Sequence, residues 1–530
     1  MAKTINLQMK NLKINNRFTA ELPADPDLTN EIRQVKNTSF SYVNPTKPSN
    51  PKLIHASEEV AEMVGISKDE IKSEEFLNVF SGKEILPGTQ PYAMCYAGHQ
   101  FGNWAGQLGD GRAINLTEVE NKNEFFTLQL KGAGKTPYSR TADGLAVLRS
   151  SIREYLCAEA MYHLGVPTTR SLSLILSGDQ VLRDVLYNGN PAYEKGAIVC
   201  RVALSFIRFG SFEMLTTRNE LTNLKQFVDY NIKHYFPEIK GEPKEQYLQF
   251  FKKAADTTRE MILHWQRVGF VHGVMNTDNM SIHGITIDYG PYGWLENYDP
   301  NWTPNTTDSQ NRRYRFGNQP QAAHWNLYQL ANAIYPLINE TEGLEKILES
   351  FMDNFIVEYN QMFLSKLGIF TSTETDDDLI DNLEAVLQLT ETDMTIFFRN
   401  LSSVSKSDSV EKAIEKIQFS FYHIEEVSGD ILEAWKKWFT VYLKRLVAET
   451  LSDEERSQKM NLINPKYVLR NYMAQLAIDA ADNEDYSLIN ELYTVLQKPY
   501  DEQNEYEKWF AKRPDWAKSK IGCSMLSCSS

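Results

Sequence analysis

The loop His272-Gly273-Val274-Met275-Asn276-Thr277-Asp278-Asn279, followed closely by Ile285-Thr286-Ile287-Asp288-Tyr289-Gly290, constrains this chain more than any other feature. The second string reads as a short strand that delivers a carboxylate into a glycine turn, and the first as a loop that closes on an amide. Asn279 and Asp288 therefore fall at the two ends of one loop–strand unit. Both are hard oxygen donors, suited to a cation such as Mg²⁺ that keeps waters and anionic oxygens as its other ligands. An asparagine turn and a strand-end aspartate would be the purely structural alternative.

Three upstream elements favour the chemical reading. Gly106-Gln107-Leu108-Gly109-Asp110-Gly111-Arg112 is a turn whose glycines let backbone N–H groups approach an anion, although alone it could be an ordinary hairpin. In Phe126-Thr127-Leu128-Gln129-Leu130-Lys131, apolar and polar residues alternate, so Lys131 leaves the strand on the polar face while Phe126, Leu128 and Leu130 face a core. A helix is predicted from about Leu145, with Leu148, Ile152, Tyr155 and Leu156 on one stripe and Glu154 beside it as a partner for Lys131.

Glycine turn, strand lysine, helix glutamate, loop asparagine and strand-end aspartate follow one another in the order of a protein kinase, where the glutamate holds the lysine against nucleotide phosphates. The sequence thus predicts an α+β, protein-kinase-like bilobal fold. An N-terminal extension is expected over 1–90, wrapping rather than forming its own core. A smaller, strand-rich lobe follows over 91–211, then a mostly helical C-lobe carrying the metal and catalytic loop over 212–505, and a tail over 506–530. In the helical part, Ile347, Leu348, Phe351, Phe355, Ile356, Tyr359 and Phe363 follow the spacing of a buried helix face.

One departure from the kinase pattern matters chemically. Val274 stands where a kinase carries its catalytic aspartate, and valine cannot accept a proton. Asp278 is the nearest carboxylate, able to act as base only within hydrogen-bond reach of the attacking hydroxyl. Arg201 and Arg208 flank the run Val202–Ile207, and Arg112 with Asp143-Gly144 lies near the glycine turn and the helix. Arginine forks bind phosphate oxygens well, so these would form an added anion pocket if they converge on the cleft; surface salt bridges are the alternative for any one of them.

Composition narrows the partners. The 530 residues carry a formal charge of −15, with 42% hydrophobic and 24% charged side chains. Such a chain can bury a large core, but its acidity argues against general nucleic-acid binding, which needs basic surface. No apolar run is long enough for a transmembrane helix, and no membrane partner is expected. Met1–Ala20 is basic but poor in Arg and Ser and lacks an apolar block, so the expected location is cytoplasmic. The five cysteines show no metal-binding spacing, which fits a reducing compartment.

The strings Leu22-Pro23-Ala24-Asp25, Tyr96-Ala97-Gly98-His99-Gln100-Phe101-Gly102, Gln107–Ala113, Leu130–Gly134, Thr136-Pro137-Tyr138-Ser139-Arg140, His272–Met280, Asn464-Pro465-Lys466 and Ser527–Ser530 resemble the selenoprotein O family of kinase-fold proteins over nearly the whole chain. The resemblance implies protein adenylylation: ATP lies reversed, AMP passes to Ser, Thr or Tyr of a protein substrate, and pyrophosphate leaves. Carried over by motif, Gly109, Gly111, Arg112, Lys131, Asp143, Gly144, Arg201, Arg208 and Asp288 would bind nucleotide. Glu154 would orient Lys131, Asn279 and Asp288 would hold Mg²⁺ or Mn²⁺, and Asp278 would be the base. The family's tail also carries a selenocysteine or cysteine, here Cys528, with Cys523 as its nearest possible partner. Some relatives instead pair the tail with a cysteine soon after the metal-binding aspartate, but 288–315 contains none.

Three alternatives stand beside this reading. One is a phosphotransferase of the small-molecule or protein kinase type. Another is a noncatalytic, nucleotide-binding pseudokinase scaffold, suggested by Val274. The third is a purely redox role through Cys528, which leaves the lysine and metal constellation unexplained.

Overall fold

Alternation within 126–131 sets the centre of the architecture. The computed structural model describes residues 9, 12–184, 189–371, 373, 376–523 and 525–527. Its main sheet is antiparallel and nine-stranded, built from β1 (Lys13–Ile14), β2 (Phe40–Tyr42), β3 (Lys52–Ala56), β4 (Tyr92–Met94), β7 (Ala113–Asn121), β8 (Glu124–Lys131), β9 (Ala146–Val147), β10 (Arg170–Arg183) and β11 (Ala192–Ala203). A separate hairpin, β5 (Ala97–Gln100) with β6 (Asn103–Gln107), stands off it. The path runs β2-β4-β7-β8-β11-β10-β3, with β1 on β7 and β9 on β11. Residues before position 90, read above as a wrapping segment, thus supply three strands of this sheet.

β8 has both edges paired, with β7 and β11, and is buried on both faces from Phe126 to Lys131, so its alternation sorts two chemistries. Leu128, Leu130, Ile198, Cys200 and Val202 join one apolar cluster with helices α2 (Glu58–Val64) and α3 (Glu74–Phe80). The other face presents Asn115, Gln129 and Arg201 in register, with Lys131 two residues beyond Gln129. Helix α4 (Leu148–His163) packs on β10 and β11, with Leu148, Ile152, Tyr155 and Leu156 buried. It starts three residues later than expected, because Ala146 and Val147 first pair with β11.

The C-terminal half is helical, and its largest helices include α7 (Pro243–Val268), α8 (Gln319–Ile338) and α9 (Glu342–Lys366). On α9 the expected stripe is buried at Leu348, Phe351, Phe355 and Phe363, whereas Ile356 is 55% exposed, since one residue beyond Phe355 turns about 100° away. Helix α7 ends at Gly269, whose φ of 74° caps it in the left-handed conformation. The chain then enters β12 (Phe270–Val271), which pairs with β13 (Gly293–Trp294). The whole segment from His272 to Tyr292, which holds both site strings, is the excursion between these paired strands. No helix among the described residues is long and apolar enough to cross a membrane.

Candidate active site

A cavity of about 420 Å³ opens between the sheet and the excursion. Gly109, Gly111, Arg112, Lys131, Arg201, Arg208, Val274, Asp278, Asn279 and Asp288 all line it. Most of the residues singled out from sequence are therefore brought together. Glu154 lies just behind, its carboxylate 2.6 Å from Lys131 Nζ. Asp143 and Gly144 do not line the cavity; the Asp143 carboxylate is engaged by Arg183 at 2.7 Å.

Strand geometry explains the basic floor. Arg201 projects from β11 opposite Gln129 and donates to Glu154 Oε1 at 3.0 Å, to Asp288 Oδ1 at 2.6 Å and to Gln129 Oε1. Gln129 donates in turn to Asn115 Oδ1 at 3.0 Å, so the polar face of the sheet is a buried hydrogen-bonded ladder behind the guanidinium. Arg208 precedes helix α5 (Phe209–Thr217) and reaches Asp288 Oδ2, the Asp278 carbonyl at 2.7 Å and, at 3.6 Å, the buried Asp110 carboxylate. Both arginines are almost wholly buried.

Asp288 is the hub of these charges. It sits at φ 58°, a conformation uncommon outside glycine, and meets Arg201, Arg208 and, at 3.5 Å, Lys131. Burial would raise its carboxyl, but Arg208, Arg201 and Lys131 outweigh that and hold it well below the usual carboxylate range. Lys131 is itself lowered, because burial exceeds the pull of Glu154 and Asp288.

The excursion is fixed by its own amides. His272 hydrogen-bonds through Nε2 to the Ile287 carbonyl at 2.9 Å, and burial lowers its pKa, so the neutral ring donates there. Asn279 donates from Nδ2 to Val274 O at 2.9 Å. That commits its nitrogen to the loop and leaves Oδ1, an acceptor that can also ligate a cation, to face elsewhere. Asn279 and Asp288 thus bring hard oxygens of the kind a divalent cation takes to one cavity, those of Asp288 being paired with Arg201, Arg208 and Lys131. The Glu59, Glu159 and His163 side chains also lie close enough to share an ion, and they too sit beside an arginine, with Arg170 paired to Glu159 at 2.8 Å and to Glu59 at 3.4 Å.

Burial pushes the Asp278 carboxyl up to about 6, with Gln100 and Arg208 pulling the other way. Gln100, His99 and Phe101 contact the loop directly, although the sequence reading gave them no role. Glycine permits this approach at Gly98, where an added Cβ would lie 2.9 Å from Thr277 Oγ1. At Gly109, φ is 114° and a Cβ would meet the Tyr138 ring at 2.6 Å. Asp110, Gln129, Tyr138 and Asn276 were likewise missed. Asp110 showed only as a polar residue inside a glycine turn and Gln129 as one on an alternating strand, while Tyr138 and Asn276 lay inside strings that carried the family resemblance without a role of their own.

Cys95, Cys157, Cys200 and Cys523 are free and buried. Cys528 lies outside the described residues, and with it the expected pairing to Cys523.

The family model described as "Protein adenylyltransferase SelO" matches residues 25–497. The chain is 90% identical over 522 residues to a protein nucleotidyltransferase YdiU of Flavobacterium johnsoniae, covering 98% of this chain and all of that one. It is 52% identical to proteins of the same name from Rhodopirellula baltica and Aromatoleum aromaticum, again over 98% of this chain and 99% and 100% of theirs. These relatives give no support to a noncatalytic scaffold. The chain belongs to the SelO family of protein adenylyltransferases.

Proposed function

We propose that this protein transfers AMP from ATP to Ser, Thr or Tyr hydroxyls of protein substrates in the cytoplasm, on a kinase-like bilobal scaffold with the nucleotide reversed. The observation that carries this reading is the pairing of an apolar Val274 at the kinase base position with two buried arginines on the cavity floor. A kinase must present its γ-phosphate to the acceptor, and here that route lacks its base. A reversed nucleotide needs cations around its terminal phosphates, and Arg201, Arg208 and Lys131 supply them.

In this reading Gly109, Gly111 and Arg112 approach the polyphosphate, Glu154 orients Lys131, and Asp143 and Gly144 shape the adjoining loop from outside the cavity. Asn279 and Asp288 would hold Mg²⁺ or Mn²⁺, which when bound neutralises charge on the phosphate oxygens. The acceptor oxygen bonds to the α-phosphorus, the bond from that phosphorus to the β-bridging oxygen breaks, and pyrophosphate leaves with the electron pair. The hydroxyl proton passes to Asp278, whose raised pKa suits a base working near neutral pH. The acidic chain favours protein over nucleic acid as acceptor.

Chromatography of the small-molecule product tests the reaction class. Pyrophosphate released with protein modification is expected, whereas ADP would favour the phosphotransferase alternative.

A further inference from the structure

Three consecutive residues of the β5–β6 hairpin hold three residues of the catalytic loop. The His99 N–H donates to Thr277 Oγ1 at 2.7 Å, Gln100 Nε2 donates to Asp278 Oδ2 at 3.2 Å, and the Phe101 N–H donates to Asn276 Oδ1 at 3.0 Å. The hairpin is anchored on its other side, because His99 Nδ1 lies 2.5 Å from Glu213 Oε2 on α5. Its two-residue turn places Phe101 at φ 50° and Gly102 at φ 84°. A bulky residue in that region is strained, and such strain persists where surrounding contacts over-determine it. Here the contacts are Asn276 on the Phe101 backbone and Tyr314 against its ring, with centroids 5.5 Å apart.

The two oxygens of Asp278 differ sharply. Oδ2 accepts from Gln100, the sole side-chain donor to this carboxylate among the described residues. Oδ1 is buried and has no hydrogen-bond partner. Arg208 engages only the Asp278 main-chain carbonyl. Among side chains, one contact therefore holds the rotation of a carboxylate that belongs to a cavity-lining residue and whose other oxygen is buried and unpaired.

We propose that Gln100 is a positioning residue: by donating to Oδ2 it fixes the rotation of the Asp278 carboxylate at the cavity wall, so that this carboxylate takes the hydroxyl proton as the acceptor oxygen bonds to phosphorus and pyrophosphate leaves. The inference rests on the reading of Asp278 as base. Gln100 needs no contact with nucleotide for this role. Its removal should slow the chemical step and leave nucleotide affinity alone.

Gln100→Met keeps size and removes the donor, Gln100→Glu sets a carboxylate against Asp278, and Gln100→His keeps an N–H at similar reach. Label incorporation from α-labelled ATP into the full-length protein and into a synthetic peptide pool bearing Ser, Thr and Tyr gives kcat and KM. Gln100→Met and Gln100→Glu should each lower kcat about tenfold or more, with KM for ATP within about twofold of wild type. Gln100→His should recover most of the loss. Wild-type kcat in both Met and Glu variants would overturn the proposal. So would a loss confined to KM, which would make Gln100 a nucleotide contact, or a His variant no better than Met, which would mean that only packing was lost. Asp278→Asn separates the two claims: full activity there removes the base reading itself, whereas an inactive Asp278→Asn beside a fully active Gln100→Met removes Gln100 alone.

Discussion

Replacing Asp288 with alanine takes away the one carboxylate that Arg201, Arg208 and Lys131 share. Arg201 would keep Glu154 at 3.0 Å, and Arg208 would keep the Asp278 carbonyl at 2.7 Å with Asp110 no nearer than 3.6 Å. Removing one partner of a buried ion pair costs about 3–5 kcal/mol. With Asp288 19% exposed and these contacts remaining, about 3 kcal/mol is the expected loss. An unfolding entropy of about 2.1 cal/mol/K per residue gives about 1.1 kcal/mol/K for this chain, so Tm should fall by about 3 °C.

The same variant should bind metal-free ATP more tightly, because the triphosphate no longer competes with a carboxylate for the three cations. Thermal unfolding in chelator, with and without ATP, reads both effects. The sign with pH follows from Asp288 being held low: its contribution is complete above the unfolded carboxyl value of about 3.9 and fades as pH falls through the folded one. The gap between wild type and variant should therefore stay constant through neutral pH and close in acid. Equal Tm values and equal ATP-induced shifts in the two proteins would refute the reasoning.

Glu154→Gln should lower kcat/KM for ATP by about tenfold to a hundredfold, since Lys131 loses its 2.6 Å partner and only Asp288 at 3.5 Å still holds it; steady-state kinetics showing wild-type values would remove its orienting role. Gly98→Ala should cut kcat while ATP still stabilises the protein normally, because the new Cβ would press within 3.1 Å of the Asp278 backbone nitrogen. A loss of ATP-induced stabilisation instead would mean that the hairpin supports nucleotide binding. Burial pushes the thiols of Cys95 and Cys523 up to about 12 and about 11, so alkylation of the native protein at pH 8 should leave both unmodified in peptide mass spectra. Rapid labelling of Cys523 would show its pocket to be open.

The order of the site elements was legible because each depends on local spacing. Alternation on β8 put Lys131 on the face opposite Leu128 and Leu130, and glycine strings marked the turns. What sequence withheld depends on contacts far apart in the chain. Gln129 looked like an ordinary strand residue until β11 set Arg201 opposite it. Gln100 meets Asp278 across 178 positions, and nothing local to either string announces the other. Asp143 was drawn to the site by motif alone, while in the structure Arg183, remote in sequence, engages its carboxylate. The N-terminal prolines suggested a wrapping strand of chain, yet short β pieces between them complete the sheet.

The identity of the transferred group tests the central claim most directly. Parallel incubations of the full-length protein with α-labelled and γ-labelled ATP, followed by separation of protein from small molecules, give the answer in one experiment. Label from the α-phosphate should appear on protein, and label from the γ-phosphate should leave entirely as pyrophosphate. Protein labelled from the γ-phosphate and not from the α-phosphate would contradict nucleotidyl transfer and make the reaction phosphoryl transfer.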